Sequence, residues 1–173
     1  MIVITNYFDF TRIARDNVEN EGLDVLVCGN TFTDYSNPYP TIEVNDYLKK
    51  SGHNSSLAEE NKEGDEDYPK NLPDKVTRMA NDCDIVVLLV SPIGGVATEI
   101  PIMATAYPEK TIFCIKKDDK VGSMIEGYIC GNDKTKLVYE TNEQLFELLH
   151  EELRSRKLII RVKRRLVDRL YGR

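Results

Sequence analysis

The sequence predicts an α/β fold in which helices flank a doubly wound parallel β-sheet. The clearest observation is the unbroken β-branched and aliphatic run from Ile85 to Val90, which is typical of a strand buried on both faces of a parallel sheet. A second observation is the alternation of short apolar runs with helical periodicity from Leu23 onward. Composition agrees, because 173 residues that are 41% hydrophobic suit one globular domain with a substantial core. A Rossmann-like or flavodoxin-like arrangement is therefore expected.

Each element has its own local signal. Strands are predicted where apolar runs are short and bounded by Gly, Asn, Asp or Lys, and helices where apolar residues recur every three or four positions. Thr41 and Thr98 are candidate helix caps, and Pro73 is tolerated in a first helical turn. The predicted elements are a strand at 23–28, helices at 41–50 and 72–81, a strand at 84–90, a helix at 99–107, strands at 111–115 and 137–139, and a helix at 142–154.

Two stretches carry no clear pattern. Residues 1–22 are treated as an N-terminal extension, because residues 2–4 resemble the start of a strand whereas residues 10–18 have helical spacing. Residues 51–67 hold six acids and hardly any apolar side chain, which predicts a solvated loop. The central α/β domain is accordingly assigned to residues 23–153.

The C-terminal residues 154–173 form a separate basic segment. They hold nine Lys or Arg and one Asp, a local charge of +8, so the remainder carries −14 and the net charge is −6. The aliphatic residues recur at helical spacing, with arginines on the opposite side (Ile159, Val162, Leu166, Leu170; Arg161, Arg164, Arg165). Such a basic amphipathic helix is expected to contact an acidic partner, an anionic membrane or nucleic acid, or else to dock on the acidic body of its own chain or on a dimer mate.

Several classes of protein are disfavoured by composition. No apolar run approaches the roughly 20 residues of a transmembrane helix, and the N-terminus lacks the plan of a signal peptide. The four cysteines form no C-x-x-C pair, which favours buried free thiols and a cytoplasmic location (Cys28, Cys83, Cys114, Cys130). His53 and His150 show no ligand spacing, so no metal or cofactor is expected.

The segment from Ser91 to Glu99 is the candidate ligand-binding turn. It follows a buried strand and precedes a helix, and ligands of open α/β sheets bind at the carboxyl ends of strands. Gly94 and Gly95 either let backbone N–H groups approach an anion or satisfy steric needs alone. Glu99 would lie in the first helical turn, where a carboxylate interacts favourably with the helix dipole. Its role is either this electrostatic one or that of a nucleophile at an anomeric carbon.

Motifs in register over about residues 23–150 resemble those of one enzyme superfamily. They are Leu26–Asn30, Cys83–Val90, Gly95–Ile100, Gly122–Gly127 and Lys136–Tyr139. This order is similar to that of the nucleoside 2-deoxyribosyltransferase superfamily, and most similar to its 2′-deoxynucleoside 5′-monophosphate N-hydrolase branch. The resemblance implies cleavage of the N-glycosidic bond of a nucleotide or nucleoside.

The resemblance also implies roles for individual residues. Glu99 would attack C1′ of the sugar, and Asp74 would bind the sugar or assist protonation of the leaving base. Two further groups would contact the substrate (Gly29 and Asn30 near the base or sugar; Ser91, Gly94 and Gly95 at the phosphate or sugar). Ser123 and Met124 match a segment that reaches the neighbouring subunit's site, which implies a homodimer or a higher homo-oligomer.

Some positions depart from the family pattern. Ile93 stands where the transferases carry Asp and the hydrolases Ser, and Ile100-Pro101 follows the Glu where x-Gly is usual. Hydrolysis of a monophosphate fits better than base exchange. The alternatives are a nucleotide-binding module without catalysis and a scaffold recruited through its basic tail.

Overall fold

The computed structural model describes residues 22–31, 39–58, 72–91, 96–131 and 134–171. Its five strands are β1 (Asp24–Cys28), β2 (Asn54–Leu57), β3 (Ile85–Val90), β4 (Thr111–Lys116) and β5 (Thr135–Tyr139). Its helices are α1 (Thr41–Lys50), α2 (Leu72–Asp82), α3 (Val96–Ala106), α4 (Ser123–Ile129) and α5 (Asn142–Tyr171). All described strand pairs are parallel. The predicted doubly wound α/β fold is confirmed.

The strand order is β2-β1-β3-β4-β5. The chain first proceeds from β1 to one edge, and from β3 onward it proceeds to the other. The order therefore reverses between β1 and β3, where Cys28 pairs with Leu88. In doubly wound sheets the carboxyl ends of the strands at such a switch point form the usual ligand crevice.

The core has two apolar layers, one on each face of the sheet. On one face the strands pack against α1 and α5, through side chains such as Val44, Leu48 and Leu149. On the other face they pack against α2, α3 and α4, through Val76, Met103 and Ile129 among others. The side chains of β3 from Ile85 to Val90 are all buried, because both faces of this central strand are covered, as its continuous apolar run predicts.

The predicted strands and helices are found with small shifts in their bounds, and two elements are additional. The strand β2 lies within the stretch predicted as a loop, so that prediction is wrong at residues 54–57. Its sequence, Asn-Ser-Ser-Leu, is polar because β2 is an edge strand that pairs only with β1 among the described strands. The helix α4 is short and buries only Ile129, so its sequence has no marked apolar periodicity.

Both predicted helix caps are wrong. Thr41 is the first residue of α1, and the cap position is held by Pro40, which makes no side-chain cap hydrogen bond. Thr98 lies inside α3, because that helix begins at Val96, three residues before the predicted start. The interpretation of residues 1–22 lies outside the described residues, except for Gly22.

The helix α5 unites two predicted elements. The helix predicted at 142–154 and the basic helix predicted at 154–173 form one continuous helix from Asn142 to Tyr171. Its first half is anchored by Leu145, Leu149 and Leu153, which are buried against the sheet. The boundary predicted between the α/β domain and the basic segment therefore falls within a helix.

Candidate functional site

The candidate site lies at the carboxyl edge of the sheet around the β1–β3 switch point. Each helix that follows a strand runs back toward the start of the next parallel strand, so its first turn lies at this edge. The edge therefore gathers most of the residues that the sequence singled out (Gly29, Asn30, Asp74, Ser91, Glu99, Ser123, Met124). Gly94 and Gly95 lie outside the described residues.

Glu99 occupies the first turn of α3 and is half-buried. Burial raises the pKa of the Cys28 thiol well above its usual range, and the Glu99 carboxylate raises that pKa further. This electrostatic effect indicates that Glu99, in the first turn of α3, lies near Cys28 at the end of β1. The partial positive charge of the helix N-terminus stabilises a carboxylate at this position. Glu99 is thus close to the switch point, while Cys28 remains a protonated thiol.

A partly buried network of hydrogen bonds connects three segments at the same edge. The Tyr39 hydroxyl donates to Oδ2 of Asp119 at 2.8 Å, and the Ser91 hydroxyl also hydrogen bonds to the Tyr39 oxygen. Burial, together with the hydrogen bond to Asp119, raises the pKa of Tyr39 to about 12. These hydrogen bonds connect Ser91, directly after β3, with Asp119 in the loop after β4 and with Tyr39 in the segment before α1. The carboxyl edge therefore holds three polar side chains that are joined by hydrogen bonds.

Sequence reasoning missed Asp119. The signal available was the pair Asp118-Asp119 shortly after a strand, since Asp tolerates left-handed backbone and favours turns. Asp118 does adopt a positive φ of 71°, and the turn places Asp119 where it accepts from Tyr39. The pairing itself spans 80 residues, so no local pattern indicates it.

Gly29 has a steric role at the end of β1. A Cβ atom added at this position would lie 2.5 Å from Oγ1 and 2.9 Å from Cγ2 of Thr41. Thr41 is itself buried, so it has little room to move. Gly29 therefore permits the first residue of α1 to pack directly onto the switch point.

The other predicted site residues lie farther out on the edge. Asp74 is exposed in the first turn of α2. Ser123 and Met124 begin α4, where Met124 is 76% exposed. Asn30 is half-buried directly after Gly29. The structure thus brings Gly29, Ser91 and Glu99 to neighbouring strand ends, and it leaves Asp74, Ser123 and Met124 at the solvent-accessible rim.

A groove of about 640 Å³ lies at the opposite, amino edge of the sheet, beneath α5. Three of its four cationic side chains make contacts within the protein, and among them Lys110 donates to the carbonyls of Ala80, Asn81 and Cys83. Arg156 donates to the Glu109 carbonyl, and Arg164 binds Asp84. These contacts hold α5 to the sheet, so we place the candidate site at the carboxyl edge.

Histidines and cysteines show no metal-binding arrangement among the described residues, which hold no group of three potential His, Cys, Asp or Glu ligands. The His53 Nδ1 accepts from the Leu23 N–H at 3.2 Å, and burial lowers the pKa of His53. All four cysteines are free thiols, with Cys28 and Cys114 buried and Cys130 exposed. Across the described ranges, no helix is both long and apolar enough to cross a membrane.

Comparison of the sequence with protein-family models and with curated proteins gives no match. The fold and the site therefore define a class only: a doubly wound α/β protein with a candidate crevice at its β1–β3 switch point.

Proposed function

We propose that this protein cleaves the N-glycosidic bond of a nucleoside 5′-monophosphate or a nucleoside, with Glu99 as the nucleophile. The observation that carries the proposal is the position of Glu99, half-buried in the first turn of α3 and close to Cys28 at the end of β1. A carboxylate near the switch point would be within reach of a ligand bound where doubly wound proteins usually hold theirs. The motif resemblance assigns nucleophilic attack to this same residue.

The reaction follows the two-step course of a retaining glycosidase. A Glu99 oxygen attacks C1′, the C1′–N bond breaks, and the base leaves with the bonding electron pair and takes up a proton. The resulting glycosyl ester is then hydrolysed by water, which releases the sugar phosphate and restores the Glu99 carboxylate. Asp74, in the first turn of α2, is our candidate for binding the sugar or for assisting protonation of the base.

Hydrolysis is preferred over base exchange because the order of the motifs is most similar to that of the N-hydrolase branch. The hydrogen-bonded chain of Ser91, Tyr39 and Asp119 would keep the loops after β3 and β4 in place around the substrate. In the homo-oligomer that the resemblance implies, the exposed Ser123 and Met124 would reach a second copy's site. The proposal describes a cytoplasmic enzyme of nucleotide metabolism.

Release of free base tests the proposal directly. The purified protein is incubated with a panel of deoxynucleoside and ribonucleoside monophosphates and nucleosides, and free base is quantified by chromatography. We expect release from at least one compound, and a loss of about 10³-fold or more in Glu99→Gln because the nucleophile is absent. The matched control Glu147→Gln changes an exposed glutamate on α5 and should retain full activity. Absence of base from every compound would contradict the proposal.

A nucleotide-binding module without catalysis is the second candidate, and the departures at Ile93 and Pro101 favour it. Pro101 lies within α3 only two residues after Glu99, where the resembled family has glycine. Calorimetric titration with the same compounds separates the two functions. Tight binding that survives Glu99→Gln, together with no turnover in either protein, would support the module.

A further inference from the structure

We propose that the N-terminal residues 1–21 of the same chain dock an apolar face into the groove beneath α5. This segment lies outside the described residues, whereas the groove lies within them. One wall of the groove is a face of α5, and the other is formed at the amino ends of β3 and β4. Ile159 and Val167 line the groove and are 56% and 50% exposed. Half-exposed aliphatic side chains in a groove are typical of a surface that binds another apolar segment.

The groove lies close to the point where residues 1–21 join the sheet. At the start of β1, the Asp24 N–H donates to Oδ2 of Asp84 at 2.9 Å, and Asp84 lines the groove. Arg164, another lining residue, approaches the Asp24 carboxylate to 3.8 Å. Residues 19–23 span up to about 17 Å when extended, so the residues before them can reach the groove. Because the segment is covalently joined to β1, its docking is an intramolecular event that a high effective concentration favours.

The sequence of the segment suits an apolar groove. Four apolar residues between positions 10 and 18 recur at helical spacing, so a helix would carry them on one face (Phe10, Ile13, Ala14, Val18). The opposite face would carry Arg12, Arg15 and Glu19. This division is typical of a surface helix that buries one side against its own protein. We therefore expect the apolar face to cover the aliphatic side chains of the groove.

The charges near the junction are complementary. Residues 16–21 contain three acids and no Lys or Arg (Asp16, Glu19, Glu21). The wall that α5 forms includes Lys163 and Arg164. Arg164 binds Asp84, whereas Lys163 is exposed and makes no ion pair with any described residue. The acids that precede β1 would thus meet a cationic stretch of α5, and opposite charges of this kind favour one docking orientation.

Other occupants fit the groove less well. The acidic residues 59–71 connect β2 to α2 at the carboxyl edge, which is the wrong edge, and they hold no aliphatic side chain. The α5 helix of a second copy would bring another charge of +8 toward the first, because residues 154–173 of each copy carry that charge. Residues 1–21 hold two arginines and four acids, a net charge of −2. Their attachment, spacing and charge favour them as the occupant.

Hydrogen exchange of the full chain, resolved by peptide mass spectrometry, tests this docking. We expect residues 10–18 to be protected in the wild type, because the amides of a docked helix exchange slowly. Ile159→Asp should speed their exchange about ten-fold or more by placing a charge in the apolar contact. Leu166→Asp is the matched control, since Leu166 is 54% exposed on α5 and is not among the residues that line the groove. It should leave the exchange of residues 10–18 unchanged.

A change in the segment itself gives the reciprocal test. Ile13→Asp should speed the exchange of residues 155–167 on the α5 wall of the groove. Arg12→Gln alters the net charge by the same amount on the opposite face of the segment, and it should leave this exchange unchanged. Added salt should weaken the docking, because it screens the charges near the junction. Circular dichroism checks that each variant is folded, which we expect because Ile159 is half-exposed.

Three results would overturn the proposal. The first is rapid, unprotected exchange of residues 10–18 in the wild type. The second is an equal effect of Ile159→Asp and Leu166→Asp on these residues. The third is protection that rises with protein concentration, which would assign the segment to the groove of a second copy. None of these results depends on whether the protein releases base.

Discussion

At the residue scale, Gly29 shows how the candidate site depends on close packing. Replacing it with alanine forces a Cβ atom to within 2.5 Å of the buried Thr41 side chain. We expect Gly29→Ala to lower the free energy of unfolding by about 1–3 kcal/mol, the usual cost of overpacking a core. Urea denaturation monitored by circular dichroism measures this change.

Two variants make the Gly29 prediction specific. Gly29→Ala combined with Thr41→Ala should recover part of the lost stability, because Thr41→Ala removes both atoms that clash. Gly127→Ala is the control, since a new Cβ there meets nothing within 4 Å. Equal stability of Gly29→Ala and the wild type would show that Gly29 has no packing role.

Tyr39 gives the carboxyl edge a predictable pH dependence. In the folded protein its pKa is raised to about 12, whereas an unfolded tyrosine titrates at about 10. The protonated Tyr39 hydroxyl therefore contributes its full stabilisation of the folded protein below pH 10, and this contribution is lost as the pH rises from 10 to 12. Tyr39→Phe should be less stable by about 1–2 kcal/mol at pH 7, because Asp119 loses a buried donor.

Measurements of unfolding free energy between pH 7 and 11.5 check this dependence. The alkaline fall in stability should be shallower in Tyr39→Phe than in the wild type, because the titrating hydroxyl is gone. Tyr171→Phe is the control, since Tyr171 is 76% exposed. Parallel curves for the wild type and Tyr39→Phe would argue against a buried, hydrogen-bonded Tyr39.

The residues of the edge were predictable to different degrees. Glu99 and Gly29 are indicated locally, the first by its place after a buried strand and a turn, the second by its place at the end of an apolar run. The hydrogen bond from Tyr39 to Asp119 joins residues 80 positions apart. It depends on β4 lying beside β3, which no short pattern specifies.

At the element scale, polar contacts of Arg156 and Arg164 hold α5 to the amino edge of the sheet. Arg164 binds Asp84, whose carboxylate is nearly buried and also accepts the Asp24 N–H at 2.9 Å. Arg164→Ala should lower stability by only about 0.5–1 kcal/mol, because the arginine itself is half-exposed. Hydrogen exchange of residues 158–171 should nevertheless become faster. Lys163→Ala changes an exposed neighbour and should leave that exchange unaltered.

The elements that sequence reasoning missed share a physical cause. An edge strand needs no apolar alternation, and Asn54–Leu57 forms β2 through backbone pairing with β1. The helix α4 buries one side chain over seven residues, so its apolar period is too weak to detect. The central strands and the longer helices were predictable, because burial on their inner faces imposes a clear pattern.

At the scale of the whole molecule, the two edges of the sheet have different roles. At the amino edge, Arg164 of α5 binds Asp84 directly before β3 and approaches Asp24 at the start of β1. The carboxyl edge contains the switch point, Glu99 and the chain from Ser91 through Tyr39 to Asp119. Alternating strands and helices indicated the parallel sheet from sequence. The strand order depends on long-range pairing, which only the structure supplies.

The central claim is that Glu99 acts on C1′ of a nucleotide bound at the switch point. The most direct measurement is a crystal structure of the Glu99→Gln variant soaked with a deoxynucleoside monophosphate that the wild type hydrolyses or binds. We expect the sugar to lie at the carboxyl ends of β1 and β3, with the amide oxygen of the substituted side chain about 3–3.5 Å from C1′. A nucleotide bound elsewhere, or oriented with C1′ far from this oxygen, would contradict the claim.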